Sequence, residues 1–148
     1  FACKGFTDAQ YDALLKKLMG AIRSSISCSS TPSQSIILKA LAEPSIEQEK
    51  LELFNMLKAR YKAVRKFTDG RKSSVLEALP FNSGYFMSFT MHGIDAEELR
   101  SRLLNESGIG TISIDSKTLR VAFSSIDEDK IESVYEKIYT TAEDLARA

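Results

Sequence analysis

Two arginines are the residues here best suited to chemistry. Arg120 stands in "KTLRVAFSS", Lys117 to Ser125, where alternation puts Leu119, Val121 and Phe123 on one face of a strand. Arg120, Ala122 and Ser124 fall on the other face, a shallow floor with one long cation on it. Arg23 ends a helical stretch, just before the hydroxyl-rich Ser24, Ser25 and Ser27. A guanidinium stays charged at any working pH, and its planar fork matches a carboxylate. Two such forks converging on one pocket could hold a dicarboxylate or an amino acid. Each also has a simpler role open to it. Arg23 could offset a helix dipole, and Arg120 could be an ordinary exposed strand residue.

Other chemistry finds little support. The single histidine, His92, has no Cys/His cluster at ligand spacing, so no metal site is expected. Cys3 and Cys28 are the only cysteines and read as reduced thiols of a cytoplasmic protein. Gly108-Ile109-Gly110 is too short for a phosphate-binding loop and suits a turn. Twenty basic residues balance twenty acidic ones, which argues against nucleic acid as a partner. No apolar run approaches the ~20 residues of a membrane span. An RNA-binding sheet using Tyr85 and Phe89 on one strand face is the weakest alternative, given that charge balance.

The elements that must position the arginines can be read from periodicity and caps. Thr7-x-x-Gln10 is a capping box opening a helix from about Asp8 to Ile22. After a Ser-rich loop, Pro32 opens a second helix, which ends at Glu43 before Pro44. Ser45-x-x-Gln48 starts a long third helix, whose stripe Leu53, Phe54, Leu57, Tyr61, Val64, Phe67 runs to about Phe67, with "TDGRKSS" as a loop. Gly84 to Met91 alternates as a strand. Asp95 caps a helix, with Glu98 at the reciprocal position and Leu99, Leu103 and Leu104 facing inward. Thr111 to Ile114 is a short strand, Asp115-Ser116-Lys117 a turn, and a final helix capped by Asp127 or Ser125 buries Ile131, Val134, Tyr135, Ile138, Ala142 and Leu145.

The expected fold is α+β: a small, mostly antiparallel sheet packed by helices, preceded by helical segments that include a long helix able to bridge two packing units. The helical N-terminal part lacks a core of its own and should need a partner.

Taken in order, "IRSSISCSSTPSQ", two helices, "NSGYFMSF", a capped helix, "GTISIDSKTLRVAFSS" and an amphipathic helix resemble the C-terminal portion of fold-type I, class I/II pyridoxal-phosphate-dependent aminotransferases. The aspartate and aromatic amino acid branch is the most similar. The resemblance divides the chain into the end of a large cofactor-binding domain (1–31), interdomain helices (32–76) and a small α+β domain (77–148). It implies that Arg120 grips the substrate's α-carboxylate and that Arg23 reaches a distal carboxylate in the neighbouring subunit's site. Ser27 and Cys28 fall near the partner's cofactor, Cys28 standing where that branch often has Asn. Phe86 of a "G-x-F" strand lies near bound substrate, although it also suits a core.

By the same resemblance the substrates are an amino acid and a 2-oxo acid, the assembly is a homodimer, and the cofactor is pyridoxal 5'-phosphate. The lysine that bonds the cofactor as a Schiff base falls upstream. This portion alone should therefore be inactive, with no cofactor bound and no catalytic residue of its own. The alternative is a free-standing α+β binding or assembly module with a partner-docking helical N-terminus.

Overall fold

The computed structural model describes residues 4–27 and 30–147. The chain divides into two compact units, 1–47 and 48–148.

The first unit carries α1 (Asp8–Ser25) and α2 (Thr31–Ala42). The capping box forms in both directions: the Gln10 amide donates to Thr7 Oγ1 at 3.4 Å, and the Thr7 amide donates to Gln10 Oε1 at 2.8 Å. Pro lies in the first turn of α2, where its missing N–H costs nothing. That helix stops at Glu43, whose backbone is extended ahead of Pro44. None of the described residues of this unit is buried, and Met19, Ile36, Leu38 and Leu41 are all more than half exposed. The expected lack of a private core holds for these two helices, whereas α3, read with them in the sequence, buries Val64 and Thr68.

The second unit begins in the first turn of α3 (Ile46–Gly70). Its strands are β1 (Leu76–Ala78), β2 (Met87–Met91), β3 (Ile112–Asp115) and β4 (Thr118–Val121). They form one antiparallel sheet in the order β1-β2-β4-β3. Helices α4 (Ala96–Ser107) and α5 (Ile131–Leu145) complete the α+β fold. No helix of the described residues is long and apolar enough to cross a membrane.

Strand parity explains where the core sits. Met87, Phe89, Met91, Leu119 and Val121 all turn to one face and are buried there. Val64 of α3, Leu99 and Leu103 of α4, and Ile131, Tyr135, Ile138 and Tyr139 of α5 join the same cluster. Phe67, Phe89 and Tyr139 pack edge to face, with centroids 5.7 and 5.5 Å from Tyr139, so one aromatic group joins α3, β2 and α5.

Several boundaries differ from those read in the sequence. Thr68 and Asp69 continue α3 rather than starting a loop. The Thr68 hydroxyl donates to the Val64 carbonyl at 3.1 Å, and Arg65 pairs with Asp69 at 3.2 Å one turn on. Strand β1 gives no periodic signal, having only three residues. Leu104 is 47% exposed rather than inward-facing. Asp95 caps α4 through the amides of Glu97 and Glu98, and Gly108 ends it at φ 65, a left-handed cap that favours glycine. Asp127 gives its carboxylate to Lys130 instead of capping a backbone amide. Phe89 is fully buried and Tyr85 lies outside the strand, so the RNA-binding sheet is ruled out.

A second tie joins α4 to β3. Glu97 accepts from Arg100 at 2.7 Å and from the Ser113 hydroxyl. Arg100 first, then Ser113, hold its carboxyl down to about 2 against an ordinary 4.5. Because the folded value is depressed, this tie is complete above about pH 4.5 and weakens as pH falls toward 2. The expected NMR titration of the Glu97 side-chain carbonyl has its midpoint near 2; an ordinary midpoint would show that the tie does not hold.

The Tyr135 hydroxyl is buried with no hydrogen-bond partner among the described residues, and burial pushes its pKa up. Tyr135→Phe removes that unpaired group while keeping the ring. The protein should be as stable or more so, by up to ~1–3 kcal/mol, in urea unfolding. Leu99→Ala should cost about 2–5 kcal/mol in the same experiment.

Candidate functional site

Arg120 occupies the middle of the sheet's second face. It is flanked by Ser88 on β2 and Ile112 on β3, its direct cross-strand partners. Ser88 is small, which leaves the guanidinium uncrowded on that side. Arg120 is half-buried, and its Nε is shielded from solvent with no hydrogen-bond partner among the described residues. No acidic side chain pairs with it among them either. A shielded N–H of a permanent cation is costly to leave unpaired. The partner a guanidinium takes best is an anionic acceptor with two oxygens.

The Phe86 ring covers Arg120, with the guanidinium carbon 4.8 Å from its centroid. Phe86 is 47% exposed, so it belongs to this face and not to the core. It precedes β2 by one residue, and extending the β2–β4 register from Met87–Val121 puts it opposite Ala122. A small residue there lets the ring lean across to Arg120. Gly84, two residues earlier, has φ 90, a turn that L side chains rarely adopt.

The floor drawn from alternation is shorter than expected. Strand β4 ends at Val121, and Phe123–Ser125 turn as a 3-10 helix. Phe123 is buried on the core face as alternation expects, but the backbone turns from Ala122 onward. Ser124 therefore lines no floor. Its amide donates to the Tyr85 carbonyl at 3.2 Å, and its carbonyl accepts from Arg60 of α3. The space beside Arg120 is partly taken by Phe86.

The other proposed residues lie in the first unit. Arg23 is in the last turn of α1, exposed, with Nη1 3.3 Å from Ser27 Oγ. Ser27 has φ 71, the one non-glycine among the described residues with a left-handed backbone. Cys28 lies outside the described residues. Every described lysine is exposed, whereas a lysine that bonds a carbonyl cofactor is normally desolvated. The Arg120 guanidinium is suited by its chemistry to a carboxylate.

Arg60 escaped the sequence reading, although a signal existed. It lies three residues after Leu57 and four before Val64, so it interrupts the apolar stripe of α3. A charge on a buried stripe points to a specific partner.

A family model described as "Aminotransferase class I and II" matches residues 5–138. The chain belongs to the class I and II aminotransferase family. Solved structures agree with the fold. The multiple substrate aminotransferase of Thermococcus profundus has a TM-score of 0.75 at 19% identity, over 91% of this chain and 36% of its own. The kynurenine aminotransferase of Pyrococcus horikoshii, in complex with PMP, has a TM-score of 0.76 at 19% identity, over 92% and 36%. The alpha-aminoadipate aminotransferase LysN of Thermus thermophilus has a TM-score of 0.74 at 16% identity, over 91% and 36%. The present chain thus spans about a third of the length of these aminotransferases. No curated protein matches the sequence.

The Phe86 stack has a direct spectroscopic consequence. Phe86→Leu should move the Arg120 15Nε–1Hε cross-peak by removing the ring current. It should cost about 0.5–2 kcal/mol of local stability. An unmoved cross-peak would show that the ring does not cover the guanidinium in solution.

Proposed function

We propose that this chain is the C-terminal part of a pyridoxal-phosphate-dependent aminotransferase that moves an amino group between an amino acid and a 2-oxo acid. The observation that carries the reading is Arg120: a half-buried guanidinium with a shielded, unpaired Nε, on an open sheet face, in a chain of this family. Residues 1–31 are the end of the large domain, 32–76 the interdomain helices and 77–148 the small domain.

In the full-length protein the cofactor supplies the electron sink. The lysine that bonds it lies upstream of this chain, so the isolated portion is inactive and binds no pyridoxal phosphate. Arg120 orients the substrate's α-carboxylate by a two-pronged contact, and Phe86 limits the space in which the guanidinium can swing. The small domain closes over the substrate and excludes water. Arg23 reaches the distal carboxylate in the partner subunit's site, with Ser27 and Cys28 near the partner's cofactor. The enzyme is a cytoplasmic homodimer.

Arg120→Ala in the full-length enzyme should raise KM for the amino acid and cost ~2–5 kcal/mol in kcat/KM. Unchanged kinetics would remove Arg120 from the site. Substitution of Arg23 should impair dicarboxylic substrates and spare aromatic ones. Equal losses on both would discard its assignment.

A further inference from the structure

We propose that Arg60 is a positioning residue for substrate binding: it clamps the segment that carries Phe86 and so holds the Arg120 guanidinium in its gripping orientation. The inference rests on the reading of Arg120 as the carboxylate grip and adds a residue on another element that acts through it.

The argument begins where the sheet stops. Met87 with Val121 is the last registered pair of the β2–β4 ladder. Phe86 and Ala122 lie beyond it, so ladder hydrogen bonds do not fix the ring that covers Arg120. Past that point the two segments are joined by the Ser124 amide donating to the Tyr85 carbonyl at 3.2 Å. Tyr85 is the residue before Phe86.

The same Ser124 is gripped from α3. Arg60 Nη1 donates to its carbonyl, and Nη2 lies 3.8 Å from Asp127 Oδ1. The Arg60 side chain is only 14% exposed, which shields its bond to the Ser124 carbonyl, whereas Asp127 is 60% exposed and already pairs with Lys130 at 2.8 Å, so the carbonyl is the stronger anchor. A fork reaching two acceptors three residues apart fixes the chain between them, which a point-charge ammonium does less well. Next to Arg60, Tyr61 packs on Phe81 at 5.4 Å, and Phe81 packs on Phe123 at 6.0 Å. Helix α3 therefore holds both Phe123 and Ser124, immediately beyond the strand bearing Arg120. The linkage runs from Arg60 through Ser124 and Tyr85 to Phe86, and from Phe86 to Arg120.

Releasing Arg60 should free Phe86 and give the Arg120 side chain more rotamers to lose on binding. A grip made equally in the ground and transition states would show this loss in KM rather than in kcat.

The test uses Arg60→Met, which keeps an apolar stem, and Arg60→Lys, which keeps the charge. In the full-length enzyme, Arg60→Met should raise KM for the amino acid about tenfold with kcat changed less than about twofold, and Arg60→Lys should recover part of the loss. In the 148-residue chain, the Arg120 15Nε–1Hε cross-peak of Arg60→Met should move toward its position in Phe86→Leu. A wild-type cross-peak together with an unchanged KM would overturn the proposal. So would loss of the cooperative thermal transition in both variants, because Arg60 would then serve folding alone. Arg120→Ala is the control. An unchanged KM there overturns the carboxylate reading itself, and the cross-peak then decides by itself whether Arg60 positions Arg120.

Discussion

Alternation along β4 is the constraint from which the rest of the site follows. Leu119 and Val121 are claimed by the core, so the residue between them must face away from it. No local adjustment brings Arg120 inside without expelling its neighbours, since a one-residue slip would reverse every side chain on the strand. With β4 an inner strand between β2 and β3, that outward position is also central. The packing of its apolar neighbours thus decides which face the cation stands on, and the Phe86 ring then orients its guanidinium. A binding group placed this way is ready before a ligand arrives.

The arginines of this unit show how differently one side chain can be used. Arg71 is fully spoken for: it lies 3.0 Å from Glu143, 3.4 Å from Glu136 and 5.2 Å over the Tyr139 ring. It joins the end of α3 to α5 and holds the Glu143 carboxyl below its usual range. Arg60, itself largely buried, spends its fork on the Ser124 carbonyl and on the more exposed Asp127 carboxylate. Arg120 has an aromatic face for company and a shielded Nε with nothing to bond among the described residues. The contrast separates arginines that hold the fold together from one kept available.

Much of this was legible in the sequence because it is written in local patterns. The Thr7–Gln10 box, Pro32, Asp95 and the alternation around Leu119 each act within a few residues, and each produces its element. What stayed hidden depends on contacts distant along the chain. Strand β1 exists because β2 offers it an edge, not because three residues prefer to be extended. The end of β4 is a 3-10 turn at Phe123–Ser125, tied to Tyr85 and Arg60 far along the chain, and alternation alone would run on past it. The role of Arg60 needs Ser124, sixty-four residues away. Its position on an apolar stripe was visible, but its partner was not. Family membership could be read from the order of the motifs, while the lengths of the strands could not.

Ile112 and Ile114 lie 49% and 55% exposed on β3, and Ile112 stands directly across from Arg120. Ile112 makes the surround of the cation oily without drying it, and Ile114, at an irregularity in the β3 register, extends the apolar surface along the strand. Anything that settles on them expels solvent from around the guanidinium as well. As the effective dielectric falls from ~80 to ~20, attraction to a carboxylate about 4 Å away grows from about 1 to about 4 kcal/mol. The two isoleucines thereby make the strength of the cation conditional: weak toward passing anions while the face is wet, strong toward the one enclosed with it.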